Sequence, residues 1–196
     1  MKKEKFFLRG NKMKDLTKGK PSRLITRFCA SDFLANLLQL TYSLVDTRIV
    51  GSFLGEDALA AVGATSSLSN LIIGFLMGLS NGFAIITAQR FGAKDLRGVK
   101  KSFAMSLTLG TAVAAGLTVL GLLFLQPILR FLNVPENLRT MAGSYIVIII
   151  AGLLATFLYD ACAAALRALG DTITPLVILA ISVILNIAGD LFLWSF

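Results

Sequence analysis

Two carboxylates stand inside long apolar runs of this sequence: Asp46 within Leu24–Phe53, and Asp190 near the close of Pro175–Phe196. An ionised carboxylate at the centre of a bilayer costs about 2.5–3.5 kcal/mol on insertion scales, so such residues face a cavity or a partner and mark an ion or substrate path. Polar neighbours accompany both. Asp32, Asn36, Gln39, Ser43 and Asp46 follow one another by steps of 4, 3, 4 and 3, which puts them on one helix face, with Tyr42 one turn before Asp46. Ser182, Asn186 and Asp190 form a second stripe at steps of four. Thr156 and Asp160 share a face in a third run, with Arg167 two turns beyond Asp160.

A continuous polar stripe on a membrane helix is most simply the wall of a water-filled cavity. Asn36, Gln39 and Ser43 equally suit hydrogen bonds between packed helices. Asp32 has the basic arm as an alternative partner, and Asp160 has Arg167. Where three carboxylates converge, burial and like charge both favour the protonated form, so one of them can hold a proton near neutral pH. The same oxygens, helped by Asn and Tyr, are a plausible Na⁺ ligand set, in which Asp46 and Asp190 act as metal ligands only if Na⁺ is the coupling ion. Either cation then competes with a positively charged, amphipathic small molecule. Competition of that kind, coupled to a bundle with two states, is antiport in its simplest physical form.

The elements that must position these groups are apolar helices. Hydrophobic residues make up 56% of the 196-residue chain against 15% charged, and mean hydropathy is +0.77, far from the balance of a soluble domain. Five runs exceed the roughly 20 residues that cross about 30 Å of hydrocarbon. They are Leu24–Phe53, Ala58–Phe91, Phe103–Leu132, Met141–Leu169 and Pro175–Phe196. The expected fold is an all-α membrane protein, a five-helix transmembrane bundle over residues 24–196 behind a basic arm over 1–23. Gly74, Gly78 and Gly82, at steps of four, are expected to let a neighbouring helix approach closely. Short connections containing Gly55, Gly92, Asn133-Val134-Pro135 and Gly170 make successive helices antiparallel.

Charge sets orientation. Nine of the 19 Lys and Arg residues lie in the first 23 positions, against Glu4 and Asp15. Ahead of an apolar helix such an arm obeys the positive-inside rule rather than marking nucleic-acid binding. Sixteen Lys/Arg fall on the side of the N-terminus and three (Arg48, Arg130 and Arg139) on the other. The N-terminus is therefore expected in the cytoplasm, with the chain integral to the plasma (inner) membrane. The first apolar segment is too long for a cleavable signal peptide and carries Asp32 and Asp46.

The absence of histidine removes imidazole chemistry, and the two cysteines, Cys29 and Cys162, make no disulfide framework. Intramembrane aspartyl proteolysis needs two carboxyls at contact distance. Asp160 and Asp171 are instead about 16 Å apart along a helix at 1.5 Å per residue, so no enzymatic activity is expected. No cofactor is expected beyond the coupling ion, H⁺ or Na⁺.

Several stretches, taken in order, resemble one transporter family. Tyr42-Ser-Leu-Val-Asp46-Thr-Arg-Ile-Val-Gly51, with Gly55-Glu-Asp-Ala-Leu-Ala-Ala-Val-Gly63, resembles the first-to-second helix signature of MATE (multidrug and toxic compound extrusion) transporters. Gly78-Leu-Ser-Asn-Gly through Arg90-Phe-Gly-Ala-Lys-Asp95 is similar to the end of that family's second helix and its basic loop. Leu166-Arg-Ala-Leu-Gly-Asp-Thr172 with Pro175, and Asn186-Ile-Ala-Gly-Asp190, resemble its fourth-to-fifth junction and fifth helix. The resemblance implies cation-coupled export of drugs and organic cations. It also implies that Asp46 and Asp190 are the coupling carboxylates, Tyr42 and Asn186 their hydrogen-bonding neighbours, and Gln39, Ser43, Asp160 and Ser182 part of a cavity wall. Asp160 stands where such transporters usually carry Asn, Ser31 where many have proline, and Arg48 at a usually apolar position. The family has two six-helix lobes, so an N-terminal lobe fragment, inactive in transport by itself and of unknown oligomeric state, is the expectation. Two alternatives are a membrane remnant with a structural or binding role and a lipid-linked oligosaccharide flippase relative. Against the flippase, the intramembrane charges are mostly acidic and suit cationic cargo.

Overall fold

A computed structural model describes residues 21–53 and 55–193; the first 20 residues of the basic arm and the last three lie outside it, as do some side chains near the helix ends, that of Asp190 among them. The described residues form six helices: α1 Pro21–Phe53, α2 Glu56–Gly92, α3 Leu96–Leu123, α4 Leu125–Phe131, α5 Glu136–Ala168 and α6 Ile173–Leu193. Four of the five expected runs correspond to single helices. The run Phe103–Leu132 does not, because it divides at Phe124 into α3 and the short α4. Pro127 explains the break: it lacks the N–H that would bond to Leu123, and its ring crowds that carbonyl. α2, α3 and α5 are each long and apolar enough to cross a membrane. α1 is as long as α5, at 33 residues, but its polar stripe dilutes its hydropathy.

Three helices end in the same way. After α2, α4 and α5 the chain passes through a left-handed residue: Lys94 (φ 59°), Asn133 (φ 53°) and Gly170 (φ 89°). The next amide then reaches back to a carbonyl five residues earlier: Asp95 to Arg90 (3.0 Å), Val134 to Leu129 (3.1 Å) and Asp171 to Leu166 (2.9 Å). This Schellman pattern satisfies carbonyls that the helix leaves open. Two of the helices that follow are capped by a side chain, whereas α5, entered at Pro135, is not. The Asp95 carboxylate accepts the Gly98 N–H at 2.9 Å, and that of Asp171 accepts from Thr174 N–H at 3.0 Å and Ile173 N–H at 3.2 Å. Gly55 (φ 85°) makes the remaining reversal, between α1 and α2. Tight reversals set the long helices up and down between two ends. At the proximal end α1 begins and the α2–α3 and α5–α6 turns lie; at the distal end α1 finishes and α5 begins.

Packing divides the bundle in two. α2, α3 and α5 form a mutually packed trio, while α1 and α6 pack on each other and touch the trio through α2 and α5 more sparsely. Inside the trio, Leu76, Ala114, Ile146, Ile150, Leu153 and Phe157 form one buried cluster, and Ala61, Leu138 and Ala142 form a second with Leu129 of α4 and Val134 of the turn after it. The ring of Phe157 occupies the space that a side chain at Gly110 would need, and Ile150 does the same at Gly121. Thr118 Oγ1 donates across the same interface to the Ile150 carbonyl at 3.3 Å. The face of α2 that is buried carries small and hydroxyl residues, among them Thr65, Ser69 and Thr87. Each of these three hydroxyls donates to a carbonyl of its own helix, which offsets the cost of burying it, whereas the buried Ser80 hydroxyl on the same helix has no hydrogen-bond partner among the described residues.

The expected role of Gly74, Gly78 and Gly82 is not what the described residues show. All three are exposed, and a side chain at any of them would meet nothing within 4 Å. The close approaches fall instead at Gly110 and Gly121 of α3. Spacing identifies a groove of small residues but not which groove a neighbour fills.

Candidate functional site

Between the α1–α6 pair and the trio lies a cavity of about 450 Å³. α1 contributes Asp32, Ala35, Asn36 and Gln39 to its wall, and α2 contributes Met77 and Asn81. α5 supplies Tyr159, Asp160, Ala163 and Arg167, while Thr172, Pro175, Leu176 and Leu179 come from the α5–α6 turn and α6. Apart from Gln39, which is just past the middle of α1, these positions are in the proximal half of their helices or in the proximal turn. Asp32, Arg167 and Thr172 are the lining residues nearest the proximal end; Gln39, Met77, Tyr159 and Leu179 reach deepest.

An ion pair crosses the mouth. Arg167 Nη1 lies 3.9 Å from Asp32 Oδ1, joining α5 to α1, with Arg167 22% exposed and Asp32 52% exposed at the side chain. The basic arm offered Asp32 its other partners, and residues 1–20 of that arm are outside the described residues. Asp160 is half-buried in the wall, and among the described residues it makes no salt bridge. Arg167 is near enough for its charge to act on both Asp160 and Tyr159. With both carboxylates ionised, Asp32 and Asp160 against Arg167 give the lining one formal negative charge.

Of the residues expected from the sequence, the cavity gathers Gln39 and Asp160. Ser43, Ser182 and Asn186 are exposed and not part of this lining. Tyr42 and Asp46 are half-buried farther along α1, Asp46 about 10 Å beyond Gln39 at 1.5 Å per residue. The side chain of Asp190 is outside the described residues. Among the described residues no three His, Cys, Asp or Glu side chains gather as a metal site.

Asn81 and Arg167 are wall residues that the sequence reading did not place. Asn81 had a signal, since an amide inside an apolar span must find a polar partner or a wet cavity. Arg167 was read as a local neutraliser of Asp160, whereas its ion pair is with Asp32 on another helix; nothing in the spacing along α5 contains that contact.

A chamber of this size, part apolar and part acidic, is large enough for a drug-sized ligand, since concave sites of about 300–1,000 Å³ suit such molecules. The MatE family model matches residues 33–192, and the chain belongs to that family. It is 36% identical over 173 residues to the probable multidrug resistance protein YoeA of Bacillus subtilis, covering 87% of this chain and 37% of that protein. To the probable multidrug resistance protein YpnP of the same organism it is 31% identical over 172 residues, covering 88% of this chain and 39% of the relative. The crystal structure of a MATE in complex with MaD3S superposes with a TM-score of 0.83 at 27% identity, covering 92% of this chain and 40% of that one. The chain thus spans about two fifths of the length of these relatives. Its family consists of integral membrane transporters of small molecules, and the fold is that family's.

Proposed function

We propose that this chain contributes the substrate and coupling carboxylates of a cation-coupled exporter of cationic, amphipathic small molecules, with Asp46 and Asp190 binding the coupling ion, H⁺ or Na⁺. The observation that carries this reading is the cavity, which pairs an acidic excess from Asp32 and Asp160 with an apolar lining from Met77, Leu176 and Leu179. A cation with an apolar body meets both halves of that surface. Tyr42 and Asn186 are the neighbours that hold the coupling carboxylates by hydrogen bonds, and Gln39 and Asp160 meet the substrate. Ser43 and Ser182 continue the same polar faces toward the distal end.

The charge asymmetry supports a cytoplasmic N-terminus in the plasma membrane, with the basic arm at the anionic lipid surface. The proximal mouth then opens to the cytoplasm, the side from which an exporter loads. The acidic excess disfavours a pyrophosphate-linked cargo.

The test is ethidium binding to the full chain in lipid nanodiscs, followed by fluorescence anisotropy across pH and Na⁺ concentration. Ethidium should bind, and H⁺ or Na⁺ should compete with it; whichever ion does so is the coupling ion. Asp46→Asn should abolish that competition. Competition unchanged in Asp46→Asn would remove the coupling role from this carboxylate.

A further inference from the structure

In the export reading Asp32 counts only as part of the acidic excess, and its pairing with Arg167 at the mouth of the cavity is left without a role. Asp32 and Arg167 face each other across it from α1 and α5, helices that belong to the two different packing groups. The pair is long, at 3.9 Å, and the carboxylate is half exposed while the guanidinium is largely covered. Exposed ion pairs hold weakly, because water competes for both ions. Arg167 is therefore poorly placed to keep Asp32 from another cation. It is well placed to wait beside it, since its charge also reaches Asp160 deeper in the wall.

We infer that Asp32 is a cation-accepting subsite at the mouth of the cavity, and that Arg167 is its exchangeable occupant, displaced by an incoming organic cation. The inference rests on the export reading for the class of ligand. An entering cation meets Asp32 first, replaces the guanidinium there, and then passes to Asp160, about two turns deeper along α5 than Arg167. Released from Asp32, Arg167 is free to swing toward the proximal surface. The exchange conserves charge at the mouth, so no ion is stranded in a dry wall. It also selects: a neutral molecule gains nothing from Asp32 and leaves the pair closed, and an anion meets the excess negative charge.

The experiment reads cation passage through the mouth directly. Ala163 lines the cavity and is buried, so Ala163→Cys in a Cys29→Ala, Cys162→Ala background places one thiol inside. Its reaction rate is measured with a quaternary-ammonium methanethiosulfonate and with a neutral one, in the full chain in nanodiscs. The neutral reagent reports folding and simple access; the ratio of rates reports cation selection. In Arg167→Gln the ratio should rise several-fold, because the competitor is gone. In Asp32→Asn it should fall several-fold, and Asp32→Asn with Arg167→Gln should match Asp32→Asn alone. A merely structural pair would move both single variants in the same direction or neither, and either result overturns the subsite. So does a thiol that reacts with neither reagent, since the mouth would then admit no molecule of that size. Ethidium competition at Asp46 is a separate measurement, so the coupling reading and this one fail independently.

Discussion

At the scale of single residues, the α3–α5 interface shows how a membrane bundle specifies its packing. Lipid offers no hydrophobic drive between helices, so fit must supply the preference. Phe157 is completely buried, and its ring sits where a side chain at Gly110 would project. Gly110→Ala should therefore cost about 1–3 kcal/mol, the usual range for overpacking a filled site. Gly78→Ala should stay within about 0.5 kcal/mol of the parent, because the added methyl meets open space. Thermal unfolding of both variants in the same detergent checks the contrast, and equal losses would mean that the Gly110 contact is not a fixed fit. The same residues mark what the sequence could and could not tell. The polar stripe of α1 was legible because a period of 3.5 residues survives any packing arrangement, and Gln39 and Asp160 do meet in one cavity. The choice of Gly110 over Gly78 was not legible, since both are glycines in apolar helices and only the partner helix distinguishes them. The Asp32–Arg167 pair was hidden for a similar reason. Its members are 135 positions apart, and no local pattern links them.

At the scale of elements, the three left-handed helix ends are a matched series with one weak member. Gly170 and Asn133 are residue types that tolerate positive φ, whereas Lys94 (φ 59°) has a side chain that crowds the preceding carbonyl. Lys94→Gly should raise stability by about 0.5–1 kcal/mol, and Gly170→Ala should lower it by about 1–2 kcal/mol. A shift of the same sign in both would contradict the turn geometry. The start of α6 offers a second check on element boundaries. Asp171 takes the first two amides of that helix and the Thr174 hydroxyl, at 2.6 Å. Asp171→Ala should cost about 1 kcal/mol, as lost N-caps generally do, and Asp171→Asn should recover most of it. Circular dichroism melts of the two variants would show this. Turn chemistry of this kind was readable from Gly170-Asp171-Thr172 in the sequence. The division of the third run was not expected, although Pro127 dictates it.

At the scale of the whole molecule, the uneven packing has a mechanical consequence. Buried clusters tie α2, α3 and α5 together, whereas α1 and α6 meet the trio through far fewer contacts. The cavity occupies that seam. A bundle with one densely packed body and one lightly attached pair should move along the seam rather than within the trio, because packed interiors resist deformation and seams do not. The two native cysteines permit a direct comparison. Both are exposed, Cys29 on α1 and Cys162 on α5, and Leu96 at the start of α3 is exposed as well. Spin labels on Leu96→Cys and Cys162, with Cys29→Ala, report a distance within the trio. Labels on Leu96→Cys and Cys29, with Cys162→Ala, report a distance across the seam. Pulsed electron–electron resonance in nanodiscs should give a narrow distribution for the first pair and a broader one for the second. Ethidium should narrow only the second, since a ligand touching α1, α2 and α5 at once holds the pair against the trio. Equal widths in the two samples would mean that the bundle moves as one body, and the cavity would then have to open by side-chain motion alone.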